Sequence, residues 1–142
     1  MDKTVNTRVI FGAVKKGGNS LTINGALTFD EEILNVGNGM DIRSGKFEAP
    51  VEGYYIFSFT GTLYDPDDKL EASVNVYKNG DLVFDFDDLY SKGTGQWRVM
   101  SGTWMAHLNR GDTIHLSVDY GYLTTDNEQK IHFSGQMVLK SD

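Results

Sequence analysis

The sequence predicts an all-β domain built as an antiparallel sandwich. Apolar and polar residues alternate with period two along most of the chain, which is the pattern of half-buried strands. Turn signals recur roughly every 10–15 residues with no helical periodicity between them, as in sandwiches and barrels. The composition agrees, because 16 glycines and 12% aromatic residues are typical of strands joined by tight turns.

The first half of the chain contains two weak strand candidates and three strong ones. Segments 8–14 and 25–29 are short candidates, and 53–64 is the clearest strand, with large apolar residues on one face and a mixed opposite face. Segments 70–77 and 82–88 form the next pair. The Asn79-Gly80 dipeptide between them accepts the positive φ angles of a type I′ hairpin turn.

The second half repeats the pattern. Segment 96–108 alternates, 109–112 is a turn, and 114–120 alternates again before a polar loop at 124–130. The last strand, 131–139, is predicted to point its odd-numbered residues inward. These residues are Ile131, Phe133, Gly135, Met137 and Leu139.

Length and charge exclude several classes of protein. The 142 residues suit a single domain, predicted at 5–142, with 1–4 as an N-terminal tail or expression remnant. The net charge of −7 disfavours nucleic acid, because phosphate neutralisation needs clustered Lys and Arg. No apolar stretch reaches the roughly 18 residues of a membrane span, so no membrane insertion is expected.

The sequence offers no catalytic constellation, so we expect a protein that is not an enzyme. There is no cysteine, which removes thiol catalysis and zinc–thiolate sites. The nucleophile-elbow and zinc-protease motifs are absent. His107, His115 and His132 lie singly on predicted strands, where ordinary strand or interface positions are expected.

A set of spaced aromatic and small residues resembles the signature of the complement C1q globular domain. The positions of that signature hold Phe29, Asn35, Met40, Phe47, Gly53, Tyr55, Phe57 and Phe59. Only Met40 departs from the pattern, and methionine fills a similar apolar volume. The resemblance extends to Lys78-Asn79-Gly80 and to Phe133-Ser134-Gly135, so it covers nearly the whole chain.

This resemblance implies a ten-stranded antiparallel jelly roll, shared with tumour necrosis factor, that assembles as a compact homotrimer. The chain has no collagen-like repeat and most resembles the stalkless C1q-domain proteins of invertebrates. That likeness implies a secreted, extracellular module of innate immunity with lectin-like binding of glycans or microbial polysaccharides. Two alternatives remain: a trimeric signalling ligand that clusters a protein receptor, and a structural head whose main role is trimerisation.

The predicted ligand surface consists of loops at the jelly-roll ends, because loops on a rigid scaffold carry recognition. Its candidate residues are aromatic, amide or cationic side chains beside the loops 91–96 and 124–130: Tyr90, Trp97, Arg98, Tyr120, Tyr122 and Asn127. Aromatic faces stack on sugar rings, and Arg binds carboxylate or sulfate groups. The alternative is that the aromatic residues pack in the trimer contact.

An acidic cluster is the candidate metal site. Asp85, Asp87 and Asp88 end one predicted strand, and closely spaced carboxylate oxygens suit Ca²⁺. Some proteins of the resembled family bind Ca²⁺ near the trimer apex, and the resemblance places an acidic ligand at Asp87. No cofactor is required, and Ca²⁺ near the trimer axis is the metal hypothesis. A solvated acidic loop is the alternative.

Arg110-Gly111-Asp112 spells an integrin-type tripeptide. It lies where the resemblance expects a Gly-Asp turn between two strands. Glycine supplies the turn conformation and aspartate caps it locally, so we predict a structural turn here.

Overall fold

The computed structural model describes residues 8–16, 20–21, 25–64, 71–89, 97–120, 123–124 and 131–141. These residues form strands and turns, and no helix occurs among them. Within this described part, no helix is long and apolar enough to cross a membrane.

The described residues contain eight strands of six to twelve residues and four segments of two or three. In chain order they are β1 (Ile10–Lys15), β2 (Ser20–Leu21), β3 (Glu31–Val36), β4 (Met40–Asp41), β5 (Lys46–Glu48), β6 (Gly53–Tyr64), β7 (Glu71–Lys78), β8 (Asp81–Leu89), β9 (Trp97–Leu108), β10 (Thr113–Tyr120), β11 (Leu123–Thr124) and β12 (Ile131–Lys140).

The strands form two antiparallel sheets. In the larger sheet the strand order is β9, β6, β12, β1 and β3. The short strand β11 pairs with the end of β6, beyond the region paired with β12, and β2 pairs with β11. The smaller sheet has the order β4-β5-β10-β7-β8. Neighbours that are distant in sequence, such as β1 and β12, give the jelly-roll topology. The predicted antiparallel jelly roll is therefore confirmed.

One predicted strand is wrong, and one strand of the larger sheet was not predicted. Segment 25–29 is not a strand; it makes one bridge, from Ala26 to Ser117, and follows the edge of β10 through the Leu27 N–H bond to the Leu116 carbonyl at 2.8 Å. The strand that was not predicted is β3, which pairs with β1. It begins with two glutamates and is mostly exposed, so it lacks the period-two alternation by which strands are recognised.

The space between the sheets is filled by packed aromatic rings. Phe57 is fully buried. Its ring centroid lies 5.4 Å from that of Trp104 and 5.6 Å from that of Phe47. A Cβ at Gly135 would come within 2.6 Å of ring atoms of both Phe11 and Phe57, so only glycine lets these rings approach the strand. Interiors packed at this density tolerate little change in volume.

Tyr55 is a fully buried phenol within this core. Its hydroxyl donates a hydrogen bond to the Val51 carbonyl at 2.6 Å, which satisfies the polar atom inside the core. Burial raises the pKa of Tyr55 above its ordinary value, although the Val51 contact acts in the opposite direction. The residue is therefore neutral at physiological pH.

Asn35, one of the signature residues, bridges a turn with its side-chain amide. Its Nδ2 donates to the Met40 carbonyl at 2.8 Å, and its Oδ1 accepts from the Met40 N–H at 3.1 Å. One side chain thus satisfies both backbone groups of a residue across a turn that contains Asn38, whose φ of 58° is left-handed. This bridge fixes the start of β4 and places Met40 in the core.

We expect Asn35→Ala to lower the free energy of unfolding by about 2 kcal/mol, because it leaves two partly buried backbone groups of Met40 unpaired. Chemical denaturation measures this change. Glu32→Ala is the matched control, since it removes only the exposed contact of Asn35 with Glu32 Oε1, and should change stability by less than ~0.5 kcal/mol. Equal effects of the two substitutions would contradict the role of the bridge.

Candidate functional site

The strand register defines two ends of the sandwich. Turn 109–112 joins the end of β9 to the start of β10, so these strand ends lie together. Ile10 at the start of β1 and Lys140 at the end of β12 belong to the same end, because they pair with Gln136 and Gly53. We call this end the base and the other the apex.

The register brings the described part of the predicted ligand surface to the apex. Trp97 pairs with Tyr64 and Arg98 with Leu63, where β6 ends and β9 begins. Tyr120 pairs with Ser73 near the start of β7.

The other predicted ligand residues, Tyr90, Tyr122 and Asn127, lie outside the described residues. The nearest described strands in the sequence are β8, which ends at Leu89, and β11 (Leu123–Thr124). Binding by all six residues stays a prediction.

The acidic cluster belongs to the apical half of β8. Asp85 pairs with Asn75, Asp87 with Ser73 and Asp88 with Ala72, so Asp88 occupies the alternate register position to the other two. Asp85 is exposed and its Oδ1 accepts a hydrogen bond from Ser73 Oγ at 3.2 Å. Hard carboxylate oxygens fit Ca²⁺, and calcium binding here stays a prediction. Among the described residues, no three His, Cys, Asp or Glu side chains cluster to hold a metal.

The Arg110-Gly111-Asp112 tripeptide forms the predicted turn at the base. Gly111 has a φ of 92°, and the Asp112 carboxylate closes the turn by accepting the Asn109 N–H at 2.8 Å. Asp112 also accepts from Asn79 Nδ2 at 3.0 Å. These bonds and the Lys78 ammonium at 3.8 Å occupy the carboxylate, so it has a structural role in this turn.

The contacts of Asp112 make its contribution to stability dependent on pH. The Asn79 amide and the Asn109 N–H, with Lys78 and His107 nearby, hold the pKa of Asp112 below its ordinary value. A carboxyl whose pKa is lower in the folded than in the unfolded chain stabilises the fold above the unfolded pKa. That stabilisation is lost as pH falls through the folded pKa.

We therefore expect Asp112→Ala to lower the free energy of unfolding by about 1–2 kcal/mol at neutral pH. The difference from the unsubstituted protein should shrink as the pH falls below the ordinary aspartate pKa of about 3.9. Denaturation curves at a series of pH values measure it. Asp81→Ala, on the exposed hairpin nearby, is the control. If the loss of unfolding free energy caused by Asp112→Ala grew at low pH, the argument would be contradicted.

The histidines occupy separate positions in the described structure. His107 contacts Glu52 Oε2 at 3.3 Å and Ser141 Oγ at 2.9 Å. His115 stacks on Tyr77 with ring centroids 5.1 Å apart, and His132 is exposed on β12. No two of these contacts share a partner, so the geometry does not bring the three histidines to one site.

Two exposed apolar patches were not recognised in the sequence. The face patch lies on the outer side of the larger sheet and consists of Tyr54, Val99, Met105 and Leu139, which are 45–69% exposed. The edge patch consists of Leu82, Val83 and Phe84, which are 38–52% exposed on β8, the last strand of the smaller sheet. Contiguous exposed apolar surface is typical of protein interfaces, and β3 also exposes the apolar residues Ile33, Leu34 and Val36.

The two-sheet jelly roll, with its described strand ends grouped at an apex and a base, is an architecture on which recognition and ligand modules are built. Comparison with known families identifies it further. The C1q domain model matches residues 10–138, so the chain belongs to the C1q domain family. The resemblance inferred from the signature is thereby confirmed.

Curated relatives agree with this assignment. The chain is 29% identical over 83% of its length to mouse complement C1q tumor necrosis factor-related protein 3. It is 31% identical over 94% of its length to a bovine complement C1q subcomponent. The chain spans about half the length of these relatives, 46% and 53% respectively.

Solved structures show the same fold at low sequence identity. The globular domain of zebrafish complement 1qA superposes with a TM-score of 0.74 at 17% identity, covering 94% of this chain and 99% of that one. Murine APRIL at pH 5.0 superposes with a TM-score of 0.65 at 13% identity, covering 89% of this chain and 98% of that one.

Proposed function

We propose that the chain is a secreted, non-enzymatic recognition module that forms a homotrimer and binds glycans or microbial surface polysaccharides at its apex. One observation carries the ligand site: the register collects Trp97, Arg98 and Tyr120 at the apical strand ends. Aromatic and guanidinium groups suit sugar rings and acidic substituents. Innate immune recognition of repetitive surfaces is the proposed role.

The two apolar patches support the homotrimer. The face patch and the edge patch belong to different sheets and different sides of the domain. If the edge patch of one copy contacts the face patch of the next, the contact is heterologous. When each copy is related to the next by one third of a full turn, three copies close a ring. This arrangement removes apolar surface from water in every copy and leaves none of the patches unpaired.

Trimerisation gives the apex its proposed binding strength. Three identical ligand sites on one rigid head engage a repetitive polysaccharide together, so avidity exceeds the affinity of any single site. A Ca²⁺ ion near the three-fold axis is part of the proposal, with Asp85 and Asp87 from each copy as its ligands, since Asp88 occupies the alternate register position of β8. It offsets the repulsion between converging carboxylates.

A glycan and bacterial-polysaccharide array tests the proposal, run with the folded protein in calcium and again in chelator. We expect selective binding that falls at least about tenfold for Arg98→Gln or for Tyr122→Ala, because each substitution removes a charged or stacking contact at all three sites. Loss of binding in chelator would support the calcium site. A blank array in both buffers would overturn glycan recognition.

Arg43→Gln provides the matched control for Arg98→Gln. Arg43 is exposed in the turn between β4 and β5, so its substitution changes net charge equally while leaving the apical strand ends of β6, β9 and β10 unaltered. We expect unchanged array binding. An equal loss for both variants would show that overall charge, not the apical site, controls adhesion.

The second candidate function is a trimeric ligand that clusters a protein receptor. The observation favouring it is the 29% identity to mouse complement C1q tumor necrosis factor-related protein 3. Competition by simple sugars separates the two candidates, since soluble sugars displace lectin-type adhesion and leave a protein–protein contact intact.

A further inference from the structure

A cleft lies at the base, at the opposite end from the proposed glycan site. It has a volume of about 490 Å³ and lies beside β4, β5 and the start of β10. Four charged side chains line it, Asp41, Lys46, Glu48 and Arg110. All four are exposed.

One wall of the cleft is the rigid hairpin between β4 and β5. The Gly45 N–H donates to the Asp41 carbonyl at 2.8 Å, and the Arg43 N–H donates to Asp41 Oδ1 at 3.0 Å. Gly45 has a φ of 76°, and a Cβ there would collide with the Leu27 carbonyl. The hairpin therefore holds Asp41 and Lys46 at fixed positions opposite each other.

The other wall is the turn that contains the integrin-type tripeptide. The Gly111 N–H donates to the Ala49 carbonyl at 2.8 Å, and the Ala49 N–H donates to the Asp112 carbonyl at 2.9 Å. These two bonds clamp the turn onto the segment that follows β5. Arg110 therefore projects into the cleft from a fixed backbone while Asp112 is used to hold the turn.

The four charges alternate in sign and do not neutralise one another. Lys46 and Glu48 are two residues apart on β5 and so share a face, while Asp41 pairs with Lys46. None of the four side chains forms an ion pair with another described residue. Two cations and two carboxylates held in one rigid cleft are complementary to a ligand that itself carries both signs.

We propose that the basal cleft binds a small zwitterionic group, with an ammonium and a phosphate or carboxylate on one molecule. Arg110 and Lys46 bind the anionic group, since a guanidinium forms paired, charge-assisted hydrogen bonds with such oxyanions. Asp41 and Glu48 bind the ammonium. The buried side chains of Met40 and Ala49 lie beneath the ligand.

This proposal is independent of the glycan site and compatible with the trimer. The cleft lies at the β4 edge of the smaller sheet, and the edge patch lies on β8 at the opposite edge. A ring built from the face and edge patches therefore leaves all three basal clefts open. Failure of either proposal leaves the other untouched.

Nuclear magnetic resonance titration of the intact protein with phosphorylethanolamine tests the basal site. We expect saturable binding that weakens about tenfold in Arg110→Gln and also in Glu48→Gln, because each variant loses one charge-assisted contact. Arg43→Gln is the matched control and should bind like the unsubstituted protein. Inorganic phosphate and ethanolamine, which each carry one sign, should bind about tenfold more weakly than the zwitterion.

Several results would overturn the proposal. Absence of saturable binding would do so, and so would inorganic phosphate binding as tightly as the zwitterion. Tighter binding by Glu48→Gln would show that the carboxylate opposes the ligand. A parallel arm with vesicles containing phosphatidylethanolamine identifies the source: binding to both probes indicates a displayed headgroup, whereas binding in solution alone indicates a free small molecule.

Discussion

Phe57→Ala should lower the free energy of unfolding by about 3–5 kcal/mol, the largest stability effect expected for any single substitution in this chain. Phe57 is fully buried, and its ring lies within 6.3 Å of the Phe11, Trp104 and Phe133 ring centroids. Truncation removes a large apolar surface and leaves a cavity between two sheets that cannot collapse. Small domains are stable by only about 5–15 kcal/mol, so the variant should be close to unfolding.

Denaturant titration at fixed protein concentration measures this loss, since assembly makes apparent stability depend on concentration. Phe57→Leu should recover part of it, because leucine refills some of the cavity. Ile33→Ala is the control, as Ile33 is 57% exposed on β3 and should cost less than about 1 kcal/mol. A Phe57→Ala variant as stable as Ile33→Ala would contradict the assigned core.

Much of the fold follows from local sequence pattern. Period-two alternation located Phe57 and Phe59 on one face, and both are buried. The Asn79-Gly80 dipeptide predicted a hairpin, and Asn79 has the left-handed φ of 51° that such a turn requires. These features depend on residues close in the chain, so sequence inspection detects them.

Irregular pairing was not predictable, because a bulge leaves no local signal. Leu139 was predicted to point inward but is 62% exposed, since the register with β6 shifts between Met137 and Leu139. Period-two alternation along 82–88 puts Leu82 and Phe84 on one face, but a second register shift, between Val76 and Tyr77, separates them. A shift of one residue reverses the face of every side chain beyond it.

The candidate surfaces were predictable only in part. The apical position of Trp97, Arg98 and Tyr120 follows from strand order once the fold is assigned. The face patch was not found, because β9 carries apolar residues on both faces: Met100 and Trp104 are buried, whereas Met105 is exposed. When both faces of a strand are apolar, periodicity does not show which of the two is directed toward the core. The basal cleft joins residues from three separate turns and strands, which no sequence window contains.

Met105→Glu should convert the proposed homotrimer to monomers without unfolding the domain. Met105 is 61% exposed in the isolated chain, so a carboxylate there is solvated in the monomer and costs the fold little. In the proposed ring the same position is covered by the edge patch of the next copy. Burying an unpaired carboxylate against apolar side chains costs several kcal/mol, and closure of the ring repeats that cost at three contacts.

Sedimentation velocity with circular dichroism separates assembly from folding in this experiment. We expect a monomer with an unchanged β-sheet spectrum for Met105→Glu, and the same for Leu82→Asp on the edge patch, where Leu82 is 52% exposed, since either partner of the contact is needed. Ile33→Glu introduces the same charge on β3, at the far side of the larger sheet from β9, and should remain a trimer. A trimeric Met105→Glu beside a monomeric Ile33→Glu would place the interface on β3 instead. Because avidity depends on three linked sites, a monomeric Met105→Glu should also lose adhesion to repetitive polysaccharide while keeping each single apical site intact.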